Sequence, residues 1–374
     1  MRVLIVTADI GAGHDLPAVL LADAIREREP GAHVSVVDGL AAGGRAAQAV
    51  ARGGAETILE RAPAIFDAQY WLIARSPPTR WAGGRLAMAL GARGLLALIA
   101  RERPDVIVST YPGTSEVLGR LRRSGRVAVP CVGAVTDLAA LRWWAHPGLD
   151  LHLITHAQSR AEVKRIAGPS ADIRHVRGFT RPEFESPPSR LVARAALGLP
   201  RDGAVIAISG GGWGVGDLYT AARVALAVPG ATAVCLCGGN ERLRERLQRR
   251  FGADPRIRVE GFTTRMCEWL AAADVLVHST AGLTVLEAEL CGTWAISYGW
   301  GFGHIRVNNR AYRQFGLATV AASDGELNAA LSAALATPRQ RPRWYGELPA
   351  AADAVLELAG TPTRPLPRAR GELA

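Results

Sequence analysis

Residues 274–309 read DVLVHSTAGLTVLEAELCGTWAISYGWGFGHIRVNN. The stretch predicts a strand over 275–278, a tight loop over 279–282, a helix over 283–291, a strand over 294–298 and then a glycine-rich loop. Leu283, Leu286 and Leu290 fall at i, i+3 and i+7, one apolar helical face. Thr284 and Glu287 lie three apart and share a different face near the helix start. Gly292 stands where a left-handed cap usually closes a helix. A helix N-terminus behind the small residues Ser279 to Gly282 offers free N–H groups and the positive end of a dipole, which suits a phosphate. Glu287, one turn in, can hold a pair of ribose hydroxyls. Together these parts describe a seat for a nucleoside diphosphate. An ordinary αβ unit with an exposed Glu would look the same over this stretch alone.

The same rhythm extends outward on both sides. In the second half, apolar strands over 204–209, 232–237 and 257–260 run into Gly210 to Gly216, Gly238-Gly239-Asn240 and Gly261-Phe262-Thr263, each followed by a helical pattern. In the first half, strands are expected over 2–7, 33–37, 105–109, 129–135, 151–155 and 173–176, with helices between them. Strands alternating with helices mean parallel, doubly wound sheets, so the fold class is α/β. The expected boundaries are a first domain over 1–180, a linker rich in proline over 181–200, a second domain over 201–345, and a closing helix and tail over 346–374.

At 374 residues with a 49% apolar fraction, two cored domains are affordable. No signal peptide and no apolar run near about 20 residues is visible, so no membrane-spanning helix is expected. The five cysteines (Cys131, Cys235, Cys237, Cys267, Cys291) read as buried free thiols of a cytoplasmic protein. Net charge is +10, almost all of it arginine, with Lys164 the single lysine. Such charge suits an anionic membrane surface or a nucleotide sugar. No basic run with interleaved aromatics occurs, so nucleic acid is not expected as a partner. Phe66, Tyr70, Trp71 and Trp81 gather around Ser76-Pro77-Pro78. Beside arginines they suit a bilayer interface or a lipid tail; core packing or a lid is the plainer reading.

Two further motifs carry chemistry. The first βα turn holds Gly11-Ala12-Gly13-His14, with Asp15 as candidate N-cap. It lacks the third glycine of a dinucleotide fingerprint, and His14 can take a proton from an attacking hydroxyl. Thr136-Asp137 directly follows a buried strand and so lies at the carboxyl edge of a sheet, where ligands bind. Asp137 is the second candidate base, or else a structural cap. His146-Pro147 follows two tryptophans, where packing is the plainer reading. No Asp-x-Asp pair is present to hold a divalent ion on a diphosphate, so no metal is expected; helix N-termini, glycine N–H groups and Arg306 would stabilise the leaving group.

These motifs in combination resemble the GT-B glycosyltransferases of family 28. The match is nearest to the monogalactosyldiacylglycerol synthase and processive diacylglycerol glucosyltransferase branch, with the peptidoglycan GlcNAc transferase more distant. The resemblance covers roughly residues 1–335. It implies two Rossmann-like doubly wound domains facing a central cleft, acceptor in the first and UDP-sugar in the second. On the acceptor side it implies Gly11, Gly13 and His14, then Thr136, Asp137 and His146; Trp71 joins them as the aromatic candidate for an apolar acceptor. On the donor side it implies the glycine loop with Gly211, Gly212 and Trp213, then Gly238 and Asn240, with Phe262 and Thr263 against uracil. Ser279, Gly282 and Thr284 follow at the phosphates, with Glu287 at the ribose. The family's Pro-Gly-Gln-Glu-x-x-Asn type of segment contacts the sugar; here 303–309 is Gly-His-Ile-Arg-Val-Asn-Asn, so His304 and Asn308 complete the donor set without the acidic residue. Retaining members of the fold carry two glutamates eight apart in this region. Eight beyond Glu287 and Glu289 stand Ala295 and Ser297, which favours inversion.

The expected function is therefore an inverting, metal-independent hexosyltransferase using a UDP-sugar, with no cofactor. It would act on a hydroxyl of a diacylglycerol-like lipid or other apolar acceptor, in the cytoplasm or peripherally on the inner membrane face. Three alternatives share the fold. They are transfer to a soluble secondary metabolite, a UDP-sugar epimerase, and a non-catalytic nucleotide-sugar- or lipid-binding protein.

Overall fold

The computed structural model describes residues 1–8, 12–44, 77–299, 301 and 303–361. They form two compact units: residues 1–180 with the C-terminal segment from Leu348, and residues 181–347.

In the first unit, β1 (Arg2–Thr7), α1 (Ala12–Arg28), β2 (His33–Asp38) and α2 (Gly39–Ala42) come first. They are followed by α3 (Pro77–Glu102), β3 (Val106–Ser109), α4 (Pro112–Arg123), β4 (Cys131–Val135), β5 (Leu151–Ile154), α5 (Arg160–Ala167) and β6 (Ile173–His175). The strands pair in parallel in the order β2-β1-β3-β4-β5-β6. Strands β3, β4 and β5 are buried throughout, which is why they read as unbroken apolar runs rather than alternating ones. Leu4, Val6 and Ile107 meet Ala92, Leu95 and Leu98 of α3 and Val117, Leu118 and Leu121 of α4 in one core.

Three expectations for this unit are corrected. Helix α1 begins at Ala12, so His14 falls in its first turn and Asp15 is not the N-cap. Instead Asp15 accepts a hydrogen bond from the Thr7 hydroxyl at 2.9 Å. Leu86 to Leu90 and Leu95 to Ile99, two apolar pieces in the sequence, lie in the single helix α3, and Gly94 between them passes so close to the Ala42 carbonyl that a Cβ would stand 1.8 Å from its oxygen. Residues Trp81–Glu102 of α3 are long and apolar enough to cross a membrane, where no such helix was expected.

In the second unit, α6 (Arg190–Leu197), β7 (Val205–Ser209), α7 (Leu218–Leu226), β8 (Thr232–Leu236), α8 (Glu241–Phe251) and β9 (Ile257–Glu260) precede α9 (Met266–Ala272). Then come β10 (Val275–His278), α10 (Thr284–Leu290), β11 (Trp294–Tyr298), α11 (His304–Phe315), β12 (Thr319–Ala321), α12 (Asp324–Ala336) and α13 (Trp344–Glu347). The parallel order is β12-β11-β10-β7-β8-β9. The chain runs outward one way from β7 and then returns to β10 on its other side, so the topological switch point lies between β7 and β10. Val275 and Val277 belong to the core under α7, α8 and α12, so by alternation Leu276 and His278 face the other layer.

Residues 181–200, expected as a linker, hold α6, capped by Ser189 and packed on α9. Arg194 within it is buried and donates to the Ala272, Arg201 and Gly203 carbonyls and to Asp274. The closing helix α14 (Ala351–Ala359) returns to the first unit: Arg177 and Ala351 exchange backbone hydrogen bonds with Pro349 and Arg177, and Glu357 pairs with Arg174.

Candidate donor and acceptor sites

Three loops interlock at the carboxyl edge of the second sheet. Residues 210–216 leave β7 and fold on themselves, Val215 N–H donating to Gly210 at 2.9 Å and Gly214 N–H to Gly211 at 3.1 Å. The Gly239 N–H reaches across from the end of β8 to the Gly212 carbonyl at 2.8 Å. Gly238 has φ of +58°, and a Cβ there would lie 2.4 Å from the Gly211 oxygen, so no other residue fits this crossing. The third loop follows β10. Gly216, at φ +101°, passes so near Ser279 that a Cβ would meet its hydroxyl at 2.2 Å. Asn240 caps α8 by accepting from Leu243 N–H at 3.0 Å and donates weakly to Gly214 at 3.4 Å. The structure thus brings Gly211, Gly212, Gly238, Asn240 and Ser279 together, around the switch point.

Helix α10 rises from the third loop behind Gly282, whose φ is +76°. Among the described residues no side chain caps it, unlike α6, α7, α8 and α12, which Ser189, Asp217, Asn240 and Ser323 cap. Its leading N–H groups are therefore left for a ligand or water. Thr284 accepts from the Thr280 hydroxyl at 3.2 Å. Glu287, one turn along, is only partly exposed. Burial raises its carboxyl to about 7, against the pull of the Arg181 charge. Phe262 is 68% exposed and Trp213 39%, two aromatic faces offered to solvent on loops of this edge. The Thr263 hydroxyl accepts from Arg265 N–H at 3.0 Å, shaping the turn that presents Phe262.

At the carboxyl edge of the first sheet, Thr136 is buried and Asp137 half-buried directly after β4. Asp137 Oδ2 accepts from the Trp144 indole at 3.1 Å, and its carbonyl from the Ser159 hydroxyl at 3.5 Å. One carboxylate oxygen is oriented by Trp144 while the group stays at the surface.

Two of the expected site residues, His146 and Asn308, are buried. His146 is buried against Gly119, its Nδ1 accepting from Gly148 N–H at 2.9 Å. Burial, with Arg120 and Arg123 nearby, lowers its pKa to about 3. It lies just before β5, and parallel pairing of β4 and β5 returns the chain to the amino edge there, away from Thr136 and Asp137. Asn308 is fully buried and shares a face of α11 with Ala311 and Tyr312 at i, i+3 and i+4. Gly13 sits in the first turn of α1. Gly11 and Trp71, and the side chains of His14 and His304, lie outside the described residues.

Sequence reasoning missed Arg181, whose charge acts on Glu287, and the pair Thr280 and His278. A histidine in the last position of a buried strand at a ligand edge was the available signal for His278.

A family model described as monogalactosyldiacylglycerol (MGDG) synthase matches residues 80–175. A processive diacylglycerol beta-glucosyltransferase of Staphylococcus haemolyticus is 24% identical over 199 residues, 53% of this chain and 50% of that protein. One of Bacillus mycoides is 23% identical over 248 residues, 66% of this chain and 63% of its own. The chain thus spans about half the length of the first curated relatives it matches. Among solved structures, MurG of Acinetobacter baumannii superposes with a TM-score of 0.55 at 15% identity, covering 96% of this chain and 93% of that one. The glycosyltransferase SnogD of Streptomyces nogalater gives 0.56 at 18%, covering 96% and 100%. The fold is GT-B, and in both sequence and fold the chain is similar to the glycosyltransferases of family 28, on the side of the MGDG synthases and processive diacylglycerol glucosyltransferases.

Proposed function

We propose that the chain is a hexosyltransferase that moves a sugar from a UDP-sugar to a hydroxyl of a diacylglycerol-like lipid or another apolar acceptor, with inversion and without a metal ion. The observation that carries this reading is the uncapped α10 with Glu287 one turn in, rising at the switch point behind three interlocked glycine loops. Backbone N–H groups there suit a diphosphate, and the Glu287 carboxylate suits the two ribose hydroxyls. In the transfer, an acceptor O–H gives its proton to Asp137 or His14. A new C1–O bond forms as the bond from C1 to the β-phosphate breaks, and UDP leaves with the electron pair. The lipid acceptor is favoured by the diacylglycerol glucosyltransferase activity for which the relatives are named and by the exposed apolar side of α3, where Trp81 is 60% exposed and Arg85 lies 4.8 Å over its ring. The same features favour a peripheral position on an anionic membrane surface.

The test is a thermal-shift screen with UDP, GDP, TDP and UDP-sugars, with and without EDTA. UDP is expected to raise the melting temperature in both media, and Glu287→Ala to weaken UDP roughly 10- to 100-fold by losing two charge-assisted hydrogen bonds. No shift with any nucleotide sinks the reading, and a shift abolished by EDTA sinks its metal-free part. Liposomes containing diacylglycerol are then the first acceptor to assay.

UDP affinity is also expected to depend on pH. The ribose hydroxyls need the Glu287 carboxylate, which in the free protein is half protonated near pH 7. Affinity should be level above about pH 8 and fall up to about tenfold for each unit below 7. The stability of the free protein moves the other way. A carboxyl raised by folding binds more protons folded than unfolded, so its contribution is present at pH 4.5 and lost as pH rises through 7. Titration calorimetry at pH 6, 7 and 8 decides it; a flat profile in wild type would exclude a carboxylate titrating in this range from the ribose contact.

A further inference from the structure

His278 is the last residue of β10, 1% exposed and on the sheet face opposite Val275 and Val277. Its Nδ1 accepts the backbone N–H of Thr280 at 3.3 Å. A backbone N–H can only donate, so Nδ1 carries the lone pair and the neutral ring bears its proton on Nε2. Burial holds the ring neutral, with a pKa near 4. Among the described residues the Nε2–H finds no hydrogen-bond acceptor, and the ring packs edge-on against Tyr312 of α11 with centroids 6.0 Å apart. A leucine would fill such a place without an unsatisfied donor, which costs about 1–3 kcal/mol when buried. What histidine adds, and leucine cannot, is the acceptor for Thr280.

Thr280 is the hinge of the donor edge. Its methyl touches Gly211, where a Cβ would come within 2.8 Å, and its hydroxyl donates to Thr284 at the head of α10. Holding the Thr280 N–H under the end of β10 therefore sets two things at once. One is the path of the chain into α10; the other is the spacing between the third loop and the glycine loop after β7.

We propose that His278 is a positioning residue for the donor: through Nδ1 it locks Thr280, and thereby holds the 279–283 loop and the glycine loop in the arrangement that receives the diphosphate. It does not touch the nucleotide. This rests on the donor reading above, and the two fail separately. If wild type binds no UDP, the donor reading fails; if wild type binds UDP and the changes below do nothing, only this inference fails.

The experiment compares His278→Asn, His278→Gln and His278→Leu for UDP affinity by calorimetry, with melting temperature as control. The Asn side-chain oxygen stands where Nδ1 stands and can accept the Thr280 N–H in an Asx turn; the Gln amide reaches only the place of Nε2. Asn is expected to keep UDP affinity within about twofold of wild type, while Gln and Leu lose about five- to tenfold. In turnover the loss should appear in KM for the sugar nucleotide rather than in kcat. Retention in Gln with loss in Asn would overturn the proposal and make Nε2 the operative atom. Equal affinity in all three would overturn it as well. Amide hydrogen exchange on the unaltered protein checks it without any substitution: the Thr280 amide should be protected in the free protein and its neighbour Ala281 should not. Exchange of Thr280 as fast as that of Ala281 would also overturn it.

Discussion

Asp137→Asn is expected to lower UDP-sugar turnover by roughly 100- to 10,000-fold, the usual range for loss of a positioned general base, while leaving UDP affinity unchanged. The substitution is well isolated. Asn can still accept the Trp144 indole hydrogen through its side-chain oxygen, so the contact at 3.1 Å survives and the change is confined to proton-taking ability. Asp137 sits on a rigid support: β4 is buried along its whole length, and the chain after it is tied by the Ser159 hydroxyl to the Asp137 and Leu138 carbonyls. A catalytic carboxylate held by an indole N–H on one oxygen keeps the other oriented for an acceptor hydroxyl. If Asp137 were only a cap, Asn would keep most of the turnover and change only the melting temperature. Steady-state kinetics beside a melting curve separates the two. Retention of more than about a tenth of the wild-type rate would remove Asp137 from the mechanism and leave His14 as the base.

Arg194→Ala is expected to cost about 3–5 kcal/mol of stability in the second unit, the range found when one member of a buried ion pair is removed. The arginine is 4% exposed and spends its donors on Asp274 at 2.8 Å and on three main-chain carbonyls. Removing it takes the donor from the Ala272 carbonyl, which lies in a fully buried residue. Asp274 would retain Arg190 at 3.1 Å and the Val205 N–H at 2.8 Å. The loss should lower the melting temperature by roughly 6–20 °C for a unit of this size. Arg265→Ala is the comparison: Arg265 and Glu268 form an exposed i, i+3 pair, worth at most about 1 kcal/mol. Equal effects for the two arginines would show that α6 is not an integral part of the second unit.

The sequence by itself determined the order and kind of nearly every described element. Wholly buried parallel strands must be apolar runs, and the glycines directly after β7, β9 and β11 (Gly210, Gly261, Gly299) mark the edge where loops gather. From 275 to 298 the expected strands coincide with β10 and β11, and the expected left-handed cap at Gly292 appears at φ +71°. These features are local: a side chain repeating at two or 3.6 residues, or a backbone angle only glycine takes easily, is written in neighbouring residues. Glu287 and the glycine loops were legible for the same reason.

Only the tertiary structure decided where polar residues point and what they spend their atoms on. Arg194 looked like linker charge because its partner Asp274 is 80 residues away, and nothing nearby in the chain announces that it is buried. His146 stood nine residues beyond Asp137 and seemed to share its site, yet a parallel sheet forces the chain back across its own width before the next strand can start. Asn308 has the residue type of a sugar ligand and the helical phase of a core residue. His278 read as part of an apolar strand until the fold placed Thr280 against Gly211 and made the histidine's lone pair the support of that contact. Periodicity sets which face of an element is apolar; burial, tautomer and partner depend on residues distant in the chain, and those meet only once the sheets have formed.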